Sequence, residues 1–324
     1  MKTTMYILTV LSLVIVSKVK SQIVATGDLQ SRITDQINAL PGEGNNNFST
    51  PTAEEFEIWG NGLSQLLDGE YGTAANTFAT IDYDVIEFTD EGNNRLYYLL
   101  ENNQTNYWGT YVFYPDYVSK MIVQSPHPIK DHNTGKQGAY IFENTDAMFF
   151  FLAGTHRCNK METVDCTGKT DACGPDGKFK SSDMAHNDTT VFQSTTDTLF
   201  RRYSQSYFLQ LHGFTKTDDD PYVILSNGSK EIPETDFIGV LKQKLYDQDN
   251  TLTFEVAHEN DNWDRLIGRT NTQGRLINGS ANACEDFATT NSGRFIHMEQ
   301  EKTKLRSNQE GWEIVANAVN ATLN

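Results

Sequence analysis

The stretch KMIVQSPHPIKDHNTGKQGAYIFENTDAMFFFLA, residues 120–153, decides the fold class. Lys120–Gln124 is short and rich in residues that favour strands. Thr134–Glu143 has a helical pattern, and the preceding Asn-Thr-Gly reads as a turn, with Thr134 as its cap. Met148–Ala153 is apolar without alternation, as expected of a strand buried on both faces. Strand, helix and buried strand within 34 residues read as part of an α/β/α layer.

The pattern continues on both sides. Short strands are predicted at Tyr107–Tyr114, Tyr207–Leu211, Tyr222–Leu225, Leu252–Val256 and Phe295–Met298, with helices at Thr189–Ser204, Glu234–Tyr246 and Gln309–Thr322. Thr52 should cap a further helix, with Glu55 completing a capping box ahead of Phe56, Trp59, Leu63, Leu66 and Leu67. The expectation is an α/β fold: three α/β/α layers around a mixed, mostly parallel sheet. Sites in such sheets collect at the carboxyl ends of the strands.

The chain begins with Lys2 and an apolar run over Met5–Val16, too short for a convincing membrane span. Residues 1–21 therefore read as a secretory signal peptide cleaved before Gln22, with a signal anchor as the alternative. The protein is expected to be extracellular. Residues 22–50 read as a polar lead-in and 51–324 as a single α/β catalytic domain. The formal charge is −17, and about −20 without the first 21 residues, which hold three lysines and no acid. Such a balance argues against nucleic acid and anionic membranes as partners. Six glycosylation sequons, at Asn47, Asn103, Asn187, Asn227, Asn278 and Asn320, agree with secretion if the host is a eukaryote. Cys158, Cys166, Cys173 and Cys284 predict two disulfides, with three pairings open. Their spacing does not fit a zinc knuckle.

No nucleophile elbow, dinucleotide or Walker loop, or zincin helix occurs. Four polar residues follow apolar runs that would carry them to one edge of the sheet: His127, Arg157, His212 and Glu299. Asp131 lies in the same loop as His127. Two His and one Asp make a three-ligand zinc site with an open position for water, and Glu299 is then free to take a proton. Glu301 is the alternative base. His132 and His156 read as neighbours or surface residues, and His297 shares a strand face with Glu299. Arg157 is either a clamp for an oxyanion or carboxylate or an ion-paired arginine beside a disulfide. His186 is a weaker candidate for ligand or substrate contact.

PHPIKDHNTG, then FLQLHGF, then NSGRFIHMEQEKTKLR resembles the layout of zinc-dependent carboxypeptidase-like hydrolases, whose distant relatives include N-formylglutamate amidohydrolases and poly-γ-glutamate hydrolases. The resemblance covers residues ~120–320. It implies one zinc ion on His127, Asp131 and His212, Glu299 as base, and Arg306 at the position of a later arginine of open role. A peptide or amide substrate follows from it. The His-x-x-x-Asp spacing departs from the family's His-x-x-Glu, and the segment that reads a terminal carboxylate is absent. A non-catalytic binding protein on the same fold and a metal-dependent phosphoesterase are the alternatives.

Overall fold

A computed structural model describes residues 23–102 and 104–324. The signal-peptide and cleavage expectations, and the sequon at Asn103, lie outside the described residues. Ten strands of the described residues form one sheet: β1 (Ile23–Gly27), β2 (Tyr83–Asp90), β3 (Leu96–Asn102), β4 (Thr110–Phe113), β5 (Ser119–Ser125), β6 (Ala147–Leu152), β7 (Tyr207–Phe214), β8 (Val223–Ser226), β9 (Phe254–Val256) and β10 (Phe295–Glu301). Their order across the sheet is β1-β2-β3-β4-β6-β5-β7-β10-β8-β9. β6, β5, β7 and β10 form a parallel block. β2, β3, β4 and β6 pair antiparallel beside it.

Among the described residues eight helices cover the sheet: α1 (Leu29–Ala39), α2 (Ala53–Leu67), α3 (Tyr71–Ala79), α4 (Thr134–Asn144), α5 (Val191–Arg202), α6 (Phe237–Gln248), α7 (Thr272–Ile277) and α8 (Gln309–Leu323). Period-two alternation divides the strand side chains between two cores. Met121, Val123, Leu209, Leu211, Ile296 and Met298 pack with α1, α4, α6 and α8 on one face. Ile122, Phe149, Phe151, Phe208 and Phe295 pack with α2, α3 and α5 on the other. The predicted α/β fold with a mixed, mostly parallel sheet is the one observed.

Three readings need correction. From Ile23 onward the expected lead-in belongs to the sheet: β1 runs parallel to β2, and α1 is capped by Asp28 and buries Leu29 and Ile33. Only two buried positions in eleven residues make its sequence look like a loop. Second, β2, β3, α3 and α7 were not anticipated from the pattern. Third, the cap position of α4 is Asn133, in the left-handed region at φ 66° with no side-chain cap bond, and the Thr134 hydroxyl has no partner. The Thr52–Glu55 capping box is present as predicted.

α4 packs closely on the sheet at Gly138. A side chain at Gly138 would meet the Phe150 ring and the Ser125 hydroxyl at 2.6 Å, so glycine there sets the helix–strand spacing. The disulfides are Cys158–Cys173 and Cys166–Cys284. They staple the irregular segment 153–190 between β6 and α5, and tie it to the chain after α7. Cross-links of this kind reduce the entropy of the unfolded chain. Among the sequons, Asn187, Asn227 and Asn278 are buried with their amides donating to main-chain carbonyls. Asn47 is exposed. Among the described residues, no helix is long and apolar enough to cross a membrane.

Candidate metal centre at the carboxyl end of the parallel block

His127 follows β5, between Pro126 and Pro128. The Asp131 amide donates to the His127 carbonyl at 2.9 Å, which closes one helical turn. A spacing of four therefore places both side chains on one side of the turn. His212 lies inside β7, two residues before its end, and Glu299 is its register partner on β10. The strands that deliver these groups are adjacent, so a set dispersed over 170 residues converges.

The convergence is tight. Asp131 Oδ2 lies 3.3 Å from His127 Nδ1 and 3.4 Å from His212 Nδ1. The two imidazole rings are 5.0 Å apart. All three residues are buried, and one ligand atom from each falls within 4.8 Å of the others. His212, His297 and Glu299 form a second such group, and His127, Asp183 and His186 a third. The cleft above them has a volume of about 330 Å³ and is walled by Arg157, Phe179 and the loop 264–270.

Asp183 organises one side. Its Oδ1 accepts from His127 Nε2 at 2.8 Å and from His186 Nδ1 at 3.0 Å, and its Oδ2 takes Arg157 Nε at 3.0 Å and also Nη2. Burial alone would push this carboxyl up. Arg157, His186 and His127 outweigh it and hold Asp183 well below the usual range. It is a permanent anion, and the only hydrogen it can share with His127 is the imidazole's own Nε2–H. The same reasoning sets His186 as Nδ1–H, with its ring stacked on Phe179 at 4.2 Å.

Burial likewise pushes Asp131 up, but the adjacent His127 and His212 imidazoles hold it below the usual carboxylate range. Burial lowers His212 to about 4, against the pull of Asp131, and burial with the neighbouring His212 holds His297 well below its ordinary value. His127 goes the other way: burial and Arg157 lower it, and Asp183 and Asp131 together raise it above the ordinary value. Glu299 is pushed well above the carboxylate range, by burial first and by the charge of Asp131 second. Its Oε2 is buried without a partner, as is His297 Nδ1.

Of the residues anticipated from sequence, the structure brings together His127, Asp131, His212, Glu299, Arg157 and His186. Arg157 combines both readings offered for it: it is paired with buried Asp183 beside the Cys158 disulfide, yet it lines the cleft. Arg306 does not line the cleft. Its guanidinium donates to the carbonyls of Gln300, His132 and Phe214, and a side chain at Gly213 would overlap it. It fastens the His127–Asp131 loop to the ends of β7 and β10, which gives the role left open for it in the sequence a structural content. Glu301 is occupied as well, capping the turn Lys302–Arg306 through the amides of Thr303 and Lys304. Asp183 and His297 were missed. His297 sits at period two from Glu299 and could have been included on that ground.

No family model and no curated protein matches the chain. Among solved structures it is similar to N-formylglutamate amidohydrolase from Ralstonia eutropha JMP134, with a TM-score of 0.39 and 11% identity over 66% of this chain and 95% of that one. It is also similar to a protein provisionally named carboxypeptidase A from Shewanella denitrificans OS-217, with a TM-score of 0.33 and 13% identity over 76% of this chain and 67% of that one.

Proposed function

We propose that the protein is a secreted, zinc-dependent hydrolase of an amide or peptide bond. One observation carries the reading. In the neutral imidazoles that a metal requires, His127 Nε2–H is engaged by Asp183 and His212 Nε2–H by the Gln210 oxygen at 2.7 Å, which leaves both Nδ1 lone pairs facing the same Asp131 oxygen. Three acceptors facing one another repel unless a cation lies among them. Their 3.3 and 3.4 Å separations equal the roughly 3.3 Å edge of a tetrahedron with metal–ligand bonds of 2.0–2.1 Å. The donor set of two imidazoles and a carboxylate suits zinc.

Bound there, zinc would polarise the scissile carbonyl and acidify a water. Glu299 supplies the proton relay. Its buried carboxylate, unpartnered at Oε2, would take a proton from that water and return it to the leaving nitrogen. Arg157 leaves Nη1 without a protein partner among the described residues, free to hold a substrate carboxylate or the developing oxyanion. Disulfide-stapled architecture and the apolar N-terminal run support secretion.

The test is metal analysis of the purified protein with hydrolysis assays on peptide and acyl-amide panels. One zinc per chain is expected. Glu299→Gln should keep the zinc and lose about 10²–10⁴ in turnover. His212→Ala with full activity, or a zinc-loaded protein that cleaves no amide, overturns the proposal. The unpartnered pair Glu299 Oε2 and His297 Nδ1 favours a second reading, a two-metal phosphoesterase. Two metals per chain and phosphate-ester cleavage would select it.

A further inference from the structure

Gln210 precedes His212 by two residues on β7, so both side chains leave the same face. That face is apolar at Phe208 and polar at Gln210 and His212. Gln210 is fully buried, and so are its neighbours Gln124 on β5 and Gln273 on α7. An amide buried without partners is destabilising, so a group of them under a cleft needs a reason.

The bond directions in this group are fixed by the main chain. Gln273 Nε2 donates to the Met184 carbonyl at 2.8 Å, and a carbonyl only accepts. The other end of that side chain, Oε1, must then accept from Gln210 Nε2 at 3.1 Å. On the opposite side, Gln124 Nε2 donates to the Thr196 hydroxyl, which donates in turn to the Phe192 carbonyl. Gln124 Oε1 therefore accepts from Gln210 Nε2 at 2.9 Å. A third anchor agrees: Asn271 Oδ1 accepts the amides of Gln273 and Gly274, leaving its Nδ2 to donate to Gln210 Oε1. All three anchors orient Gln210 one way, with its oxygen toward His212 Nε2 at 2.7 Å. That imidazole nitrogen must carry the hydrogen.

We propose that Gln210 is a positioning residue that holds His212 as the Nε2–H tautomer, and that Gln124, Asn271 and Gln273 hold Gln210 in turn. The inference rests on the reading of His127, Asp131 and His212 as a zinc site: the fixed tautomer is what turns the His212 Nδ1 lone pair toward Asp131. Asp183 does the same for His127 from the other side. Outer partners of metal-bound imidazoles change metal affinity about 10–100-fold when removed. Gln210→Met fills the same volume without an acceptor. It should weaken zinc binding, measured by chelator competition, by about 10–100-fold.

The direct readout is the pattern of ring nitrogen and carbon couplings in metal-free protein carrying ¹⁵N-labelled histidine above pH 7. His212 should appear as Nε2–H in the wild type and shift toward Nδ1–H or a mixture in Gln210→Met. His212 as Nδ1–H in the wild type overturns the inference without any variant, so a misfolded Gln210→Met leaves it testable. A folded Gln210→Met that binds zinc within twofold of the wild type also overturns it. A wild type that binds no zinc defeats the hydrolase reading instead, and the tautomer signal still reports on Gln210.

Discussion

Tyr83, Trp108 and Tyr111 on the antiparallel half of the sheet, and Gln124, Gln210 and His212 in its parallel block, are equally hidden from water. They are held by different forces. On the antiparallel side Trp59 meets Phe78, Tyr83 and Tyr111 edge-on at 4.9–5.1 Å, and its one polar atom donates to Thr195. This is area burial and ring packing with each polar tip satisfied. In the parallel block the buried groups are amides, imidazoles and carboxylates, stable only because each has a partner, except where the cleft opens. The parallel end buries chemistry and the antiparallel end buries apolar surface. Damage to one should be read in metal affinity, and damage to the other in stability.

The largest effect is expected where the two currencies meet. Asp183→Ala strips Arg157 of its counter-ion and His127 of its orienting acceptor. An uncompensated buried guanidinium should cost roughly 3–5 kcal/mol in denaturant unfolding. Zinc affinity should fall about 10–100-fold in the same protein. A loss under about 1 kcal/mol with affinity intact would mean that Asp183 organises nothing.

Trp59→Ala should separate the two halves. Removing the ring from its cage leaves a cavity and should cost roughly 3–4 kcal/mol of stability. Zinc binding measured well below the lowered melting temperature should stay within about twofold, because nothing in the cage touches the cleft. Impaired zinc binding in the folded variant would show the halves to be coupled.

The same division explains what could be read in the sequence. His127, His212 and Glu299 were legible because each follows an apolar run, and a parallel sheet brings such positions to one edge. Asp131 was legible as a neighbour of His127, and its spacing makes sense once the loop is seen to close a helical turn. Asp183 was hidden because segment 153–190 has no period, and two disulfides rather than a pattern place it. Gln210 was hidden because a glutamine in an apolar strand reads as an interruption until its partners Gln124 and Gln273, distant in sequence, are in place. β1 and α1 were missed for a related reason: β1 pairs with β2 about 60 residues away, and α1 shows too few apolar positions to announce itself.

The smallest predicted effect lies at the far end of α4 from the His127 loop, where the outer edge of the fold docks. Glu143 accepts from Gln30 of α1 at 2.8 Å, beside Asn93 and Arg95 of the β2–β3 turn. Burial raises its carboxyl to about 7, with Asp90 and Asp28 adding to the rise and Gln30 and Arg95 opposing it. In the unfolded chain the same group titrates near 4.3. The folded state therefore binds the proton more tightly. That contribution to stability is fully present below about pH 4.3 and is lost as the pH rises through about 7. Glu143→Gln holds the hydrogen bond from Gln30 without titrating. It should match the wild type near pH 4.5 and exceed it by roughly 1–2 kcal/mol at pH 8, a value discounted for partial solvent access. Unfolding curves for the two proteins that stay parallel from pH 4.5 to 8 would refute the raised carboxyl. Zinc affinity should not differ between them at any pH, since Glu143 belongs to the docking edge and not to the buried polar block.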